Sequence, residues 1–311
     1  MAQVDMQRVK ELRDRTQAGL NDCRSALIEA EGDMDKAVEI ILKKGLAKSA
    51  KRAGSVATEG VIATGIAPDG KTGVIVEVNI QTDFAARNAD FLAFVGAVVK
   101  VALDVREGAD LGAQKDPDGE ATLEDRRAAL VGRLGENIAI RRWANLFVEG
   151  PGRVCSYVHL GGKIGVLAAF KAASGAADAS AAFTKFAEDT AMQIAAMAPL
   201  YLTMSDIPAG DREKQAEIFT AQLAEEAKVP EARRPQVVEG KVQKWAKEVC
   251  LLEQPSILET SQSVDQLRAA VEKETGGSVA ITGFVRYQVG EGIDKPQGPD
   301  FADEVARMAG A

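Results

Sequence analysis

Apolar positions along the chain change period several times, and each change marks an element. Val9, Leu12 and Thr16 recur on one helical face. Cys23, Ala26, Leu27 and Ala30 form a second such face, and Ala37, Ile40 and Ile41 a third. The breaks between them, Ala18 to Asp22 and Gly32-Asp33, carry the polar and glycine residues that end and restart helices. Asn21 or Asp22 is the expected cap of the second helix, and Gly45 the expected end of the third. Lys43, Lys44, Lys48, Lys51 and Arg52 follow, a basic run suited to a helix C-terminus. Residues 1–54 thus read as a compact three-helix module with a linker.

After the linker the pattern becomes that of strands. Val61 to Ile80 reads as a hairpin turning at Pro68-Asp69-Gly70, and its second arm is dense in β-branched residues. Phe91, Phe94, Val95, Val98, Ala102 and Val105 return to helical spacing, with Asp90 as the expected N-cap. The same series then recurs. Lys71-Thr72-Gly73-Val74-Ile75-Val76 is echoed by Lys163-Ile164-Gly165-Val166-Leu167-Ala168 within a second hairpin, Val154 to Phe170. A second apolar helix follows through Phe183, Phe186, Ala187, Thr190, Met192 and Ile194. Each half gains a later strand, Asn137 to Trp143 and Val279 to Tyr287. The expected fold is α+β: a duplicated core of two subdomains, each a small antiparallel three-stranded sheet with helices. Their limits are 55–148 for one, and 149–200 with 250–289 for the other.

Residues 201–249 interrupt the second copy. Charges of both signs crowd Asp211 to Glu226 and Glu231 to Glu248, with Val229-Pro230 and Arg234-Pro235 between. This reads as an inserted helical hairpin, either a plain surface excursion or an arm for self-association or partner contact. Residues 290–311 read as a loop and a short C-terminal helix capped by Asp300, with Phe301, Val305 and Met308 on one face.

Composition narrows the function. A net charge of -8 and 5% aromatic residues argue against a nucleic-acid or membrane-surface partner, which would need a basic or stacking face. No apolar stretch is long enough to span a bilayer, and the first residues lack the pattern of a secretory signal. Cys23, Cys155 and Cys250 are too scattered for a disulfide framework or zinc site. A cytoplasmic location is expected, with no cofactor and no metal.

Enzyme constellations fail on context. Gly65 to Thr72 matches the phosphate-loop pattern G-x-x-x-x-G-K-[ST], but that motif needs a helix opening at its Lys-Thr. Here a β-branched run follows. His159 is the one histidine and stands on the second hairpin without a Ser or Cys at catalytic spacing. Thr82-Asp83-Phe84-Ala85 is different: it lies at a strand-to-helix junction, where chains present side chains to partners. Two readings compete. Phe84 folds back onto the core while Asp83 caps a turn, or both are offered outward.

Two longer segments resemble the bacterial translation elongation factor Ts family. Leu12 to Leu27 is similar to L-R-x-x-T-G-A-G-x-x-D-C-K-x-A-L, with Gln17 for Gly and Arg24 for Lys. Glu77 to Ala85 is similar to E-V-N-C-Q-T-D-F-V, with Ile80 for Cys and Ala85 for Val. Gly135 to Arg142 and Ile164 to Leu167 add weaker likeness. The resemblance implies a nucleotide exchange factor without covalent chemistry, whose partner is elongation factor Tu. It implies that Phe84 wedges between two helices of the partner's GTPase domain while Asp83 acts near its Mg²⁺, so that GDP leaves. Arg13 and Gly19-Leu20, with the C-terminal helix, would hold the same domain. The second subdomain, including His159, would touch another.

Overall fold

A computed structural model describes residues 5–16, 18–225 and 229–294. Gln17 and the expected helix from Asp300 lie outside them. The chain opens with three helices, α1 (Met6–Thr16), α2 (Leu20–Glu29) and α3 (Met34–Arg52), around a core of Val9, Leu12, Cys23, Leu27, Ala37 and Ile41. Two local expectations are corrected here. Helix α2 starts behind Gly19 with no side-chain cap, so neither Asn21 nor Asp22 serves. Helix α3 runs through Gly45 to Arg52, carrying the basic run on a helix. Gly45 is there for packing: a Cβ would press on the Ala129 backbone at 3.3 Å, where another helix crosses. The basic run is partly paired, with Lys44 2.5 Å from Glu29 and Lys43 3.3 Å from Glu39.

The fold is α+β, with two antiparallel three-stranded sheets. The first half comprises β1 (Glu59–Ile66), β2 (Thr72–Ile80), α4 (Asp83–Ala86), α5 (Ala89–Asp104), α6 (Leu123–Leu134) and β3 (Ile138–Phe147). The second comprises β4 (Gly152–His159), β5 (Ile164–Ala172), α7 (Gly175–Asp178), α8 (Ala181–Met197), then α9 (Ala209–Glu225) and α10 (Arg234–Val249), and finally α11 (Val264–Thr275) and β6 (Val279–Gln288). Strand orders are β1-β2-β3 and β4-β5-β6. The helix crossing Gly45 is α6, and Arg127 on it donates to Ser49 Oγ at 2.9 Å. The expected cap Asp90 is also corrected. Asn88 caps α5 by accepting from the amides of Asp90 and Phe91, and Asp90 instead pairs with Arg133 at 2.9 Å.

Central strand β2 is buried on both faces. Val74, Val76, Val78 and Ile80 pack under α5 and α6, while Ile75 faces the other sheet. Strand β5 does the same with Val166, Ala168 and Phe170 on one side and Leu167 and Ala169 on the other. The halves therefore stack sheet to sheet, helices outermost.

The duplication extends to the joints. Thr82 and Ser174 cap the short helices α4 and α7, and Asn88 and Ser180 cap α5 and α8, all at one sequence offset. The bulges at Glu77/Val78 and Ala169/Phe170 share it. Helices α6 and α11 both start with a capping box and end on a left-handed glycine, Gly135 and Gly276. Arg127 and Arg268 on them both reach the first carbonyl of the following strand, Ile138 and Val279. The halves also cross-bond symmetrically: the Ile62 amide donates to Gly162 O at 2.8 Å, and the Val154 amide to Gly70 O at 2.9 Å. Gly73 and Gly165 allow this approach, because a Cβ on the first would collide with Val154 and on the second with Ile62.

Helices α9 and α10 form the inserted hairpin. They pack on each other with Leu223 and Val242 buried, Ala246 is buried with Ile207 and Cys250 at the base, and Pro235 sits in the first turn of α10. The base closes tightly, since the amides of Leu200 and Tyr201 both donate to Val249 O at 2.9 and 3.1 Å. Replacing residues 203–248 by a short Gly/Ser linker should therefore leave the rest folded, with the melting temperature within a few degrees of the parent by circular dichroism. Loss of cooperative unfolding in that variant would show that the arm is part of the core.

Candidate functional site

Strand β2 runs out of the sheet at Ile80, and the next two residues set the site. Thr82 has extended backbone and caps α4, its Oγ1 accepting from the Ala85 amide at 3.2 Å. Ala86 is buried in the core of the first half and Ala85 packs against it. With that face of the turn held inward, Phe84 points out and is 82% exposed. The choice left open by the sequence is decided: Phe84 is no core residue. Asp83, at the first helical position, is half-exposed and pairs with Arg87 at 3.2 Å, itself exposed. An ion pair of that kind is weak and easily exchanged for another cation. Acid and aromatic thus stand side by side on a rigid, capped turn.

The second half supplies an internal control. Its equivalent turn keeps the cap, Ser174, and the short helix, but Gly175 and Ala176 stand where Asp83 and Phe84 do. The scaffold does not need the acid–aromatic pair; only one copy carries it.

Other predicted residues form separate patches. Arg13 is exposed on α1, Gly19 is half-buried, and Leu20 is exposed at the start of α2. His159 ends edge strand β4, exposed, with its Nδ1 2.9 Å from the Tyr157 hydroxyl and the two rings stacked. Leu160, at a left-handed φ of 49°, and Val158 flank it and are also exposed.

The phosphate-loop alternative is overturned. Gly65 lies in β1, residues 67–71 turn, and Thr72 opens β2 where a helix N-terminus would be required. The Lys71 ammonium is occupied by Gly152 O and by Asp178. Burial pushes the thiols of Cys155 and Cys250 up to about 11, so both stay protonated and unreactive at neutral pH. Among the described residues, no cluster of His, Cys, Asp and Glu is arranged to hold a metal, and no helix is long and apolar enough to cross a membrane.

The family profile described as Elongation factor TS matches residues 81–291. Elongation factor Ts of Clostridium perfringens is 43% identical over 304 residues, covering 97% of this chain and 98% of the relative. Elongation factor Ts of a Nitratiruptor species is 44% identical over 307 residues, covering 97% and 98%. The chain belongs to the elongation factor Ts family. Two of the family-like residues in the second signature, Glu77 and Asn79, are buried scaffold, whereas Asp83 and Phe84 face outward.

Sequence reasoning missed the residues behind the turn. Glu136 follows the glycine cap of α6 and accepts from Thr82 twice, from its amide at 3.0 Å and its hydroxyl at 2.7 Å. The neighbouring Asn137 amide donates to Gln81 Oε1 at 2.7 Å. Gly135 to Arg142 carried a family likeness, but no local pattern says that its acid reaches a residue so far back in the chain.

Proposed function

We propose that this elongation factor Ts family member is a guanine nucleotide exchange factor for elongation factor Tu. The observation that carries the reading is Phe84, fully presented beside Asp83 on a preformed turn, and absent from the duplicate turn. A large apolar ring held out in water gains by entering a partner's apolar cleft. An acid next to it brings negative charge to whatever lies beside that cleft. Beside a Mg²⁺–diphosphate site such a charge competes for the cation and repels phosphate, and the wedge separates the elements that cradle them. Factor and GDP then weaken each other's binding by the same factor. No bond is made or broken, so the chain acts through binding energy alone. Arg13, Gly19 and Leu20 are assigned to hold the same domain of the partner, and the His159 edge to hold another. The arm is assigned to self-association, outside the exchange step.

Release of a fluorescent GDP analogue from purified elongation factor Tu tests this directly. The chain at substoichiometric amounts should accelerate release many-fold, and the arm-less variant should keep most of that activity. Binding without acceleration would make the chain a passive partner and end the exchange reading.

A further inference from the structure

We propose that Glu136 is a positioning residue for exchange: its carboxylate fixes the Asp83–Phe84 turn in the orientation that acts on the partner. This rests on the reading of that turn as the exchange element. The carboxylate takes both donors of Thr82, amide and hydroxyl, at 3.0 and 2.7 Å. The same hydroxyl oxygen accepts from the Ala85 amide at 3.2 Å, so one chain of hydrogen bonds runs from Glu136 through Thr82 into α4. Two hydrogen bonds to one carboxylate converge on the residue that starts the turn. Glu136 is itself placed by rigid neighbours. Gly135 closes α6 in the left-handed conformation, and Asn137 is anchored through its amide to Gln81 and through its side chain to Ser55 O at 2.8 Å.

The duplicated half forms the equivalent capped turn without this clamp. There Gly276 closes α11 as Gly135 closes α6, and Gly277 stands where Glu136 does, packed against Ala173. Ser174 still caps its short helix, by accepting from the Ala177 amide at 3.2 Å, with no carboxylate behind it. So the half that bears Gly-Ala has no clamp, and the half that bears Asp-Phe has one. A side chain that must enter a partner at a fixed angle gains from such restraint, because less freedom is lost on binding.

Glu136→Gln keeps size and shape. Its amide retains one acceptor oxygen but turns an NH₂ group toward a Thr82 donor. Stopped-flow release of fluorescent GDP from elongation factor Tu is measured against factor concentration. The maximal rate is expected to fall about tenfold, while the half-saturating concentration moves by less than about threefold. Combined with Asp83→Asn and Phe84→Ala together, the same change should alter the rate by less than about twofold, because the residue acts through those two side chains. Hydrogen exchange of the amides over residues 82–87 should quicken about tenfold, with β2 protection unchanged. That readout needs no partner.

An unchanged maximal rate, an unchanged exchange of residues 82–87, or an equal loss in the Asp83→Asn/Phe84→Ala background would each overturn the proposal. If Phe84→Ala slows release and Glu136→Gln does not, only the positioning role falls. If Phe84→Ala is itself silent, the reading of the turn falls and the proposal with it.

Discussion

Phe84→Ala is expected to slow maximal GDP release from elongation factor Tu by about a hundredfold, the scale of a central contact of ~2–4 kcal/mol appearing in the rate. Its melting temperature should stay within about 1–2 °C of the parent, because a ring 82% exposed leaves no cavity when removed. The two measurements separate cleanly. A core phenylalanine would cost stability and leave the folded fraction active; an interface wedge costs activity and leaves stability alone. Asp83→Asn separates charge from shape at the neighbouring position. It removes the pairing with Arg87, which is exposed and weak. Release should slow by about tenfold, while affinity for nucleotide-free elongation factor Tu changes by less than about twofold, as for a group that acts on the departing state and not on binding. A folded Phe84→Ala protein with full exchange activity would remove the central element of the mechanism.

The largest stability effect should come from Glu77. It is 0% exposed, at the bulge of β2, and is surrounded by donors. Arg141 approaches at 3.0 Å and Arg142 at 2.6 Å, Asn79 donates at 3.0 Å, and the Gly290 amide at 2.8 Å. Arg142 also lies over the Tyr287 ring at 4.1 Å. One carboxylate thus ties β2 and β3 to the segment that leaves β6. Glu77→Ala empties a fully buried site and leaves Arg141 and Arg142 only their bonds to the 288–291 segment, which should cost about 3–5 kcal/mol, read as a drop of order 10 °C in melting temperature. A shift of a degree or two would mean that water replaces the carboxylate without penalty.

The acid limb of stability carries the same signature. Burial works against ionisation of Glu77, but the Gly290 amide, Asn79 and Arg142 outweigh it and hold the carboxyl below its ordinary 4.5. A group with a depressed folded value stabilises the fold above its unfolded value, and that contribution fades as pH falls through the folded one. Stability should therefore decline as pH drops below about 4.5, and Glu77→Gln should flatten that decline. An equally steep acid limb in the variant would place the titration elsewhere.

Much of this protein was legible in one dimension because its elements follow local rules. The β-branched run from Val74 to Ile80 has strand spacing, the echo of Lys71–Val76 in Lys163–Ala168 announces duplication, and the proline-marked charged arms fold as a helical pair. The first and last are statements about neighbours within a turn or a strand, and the echo is visible because the same local pattern is written twice. Identity was legible too, because the outward-facing Asp83 and Phe84 and the buried Glu77 and Asn79 sit within one short segment. Capping was ambiguous even locally: Asn88 and Asp90 are both competent, but Asn88 has the extended backbone of a cap while Asp90 lies inside the helix. Gly45 has the composition of a helix stop, yet α6 lies against it and the helix continues. What remained was decided only by contacts between distant residues. Whether Phe84 turned inward depended on Ala85 and Ala86 taking the core side of α4. Whether Glu77 could be buried as an anion depended on donors from residues 141, 142 and 290, and whether the turn was held depended on Glu136, which no periodicity connects to Thr82. Desolvation and hydrogen-bond convergence are properties of a place in space, and the chain specifies that place only after both halves have folded and stacked.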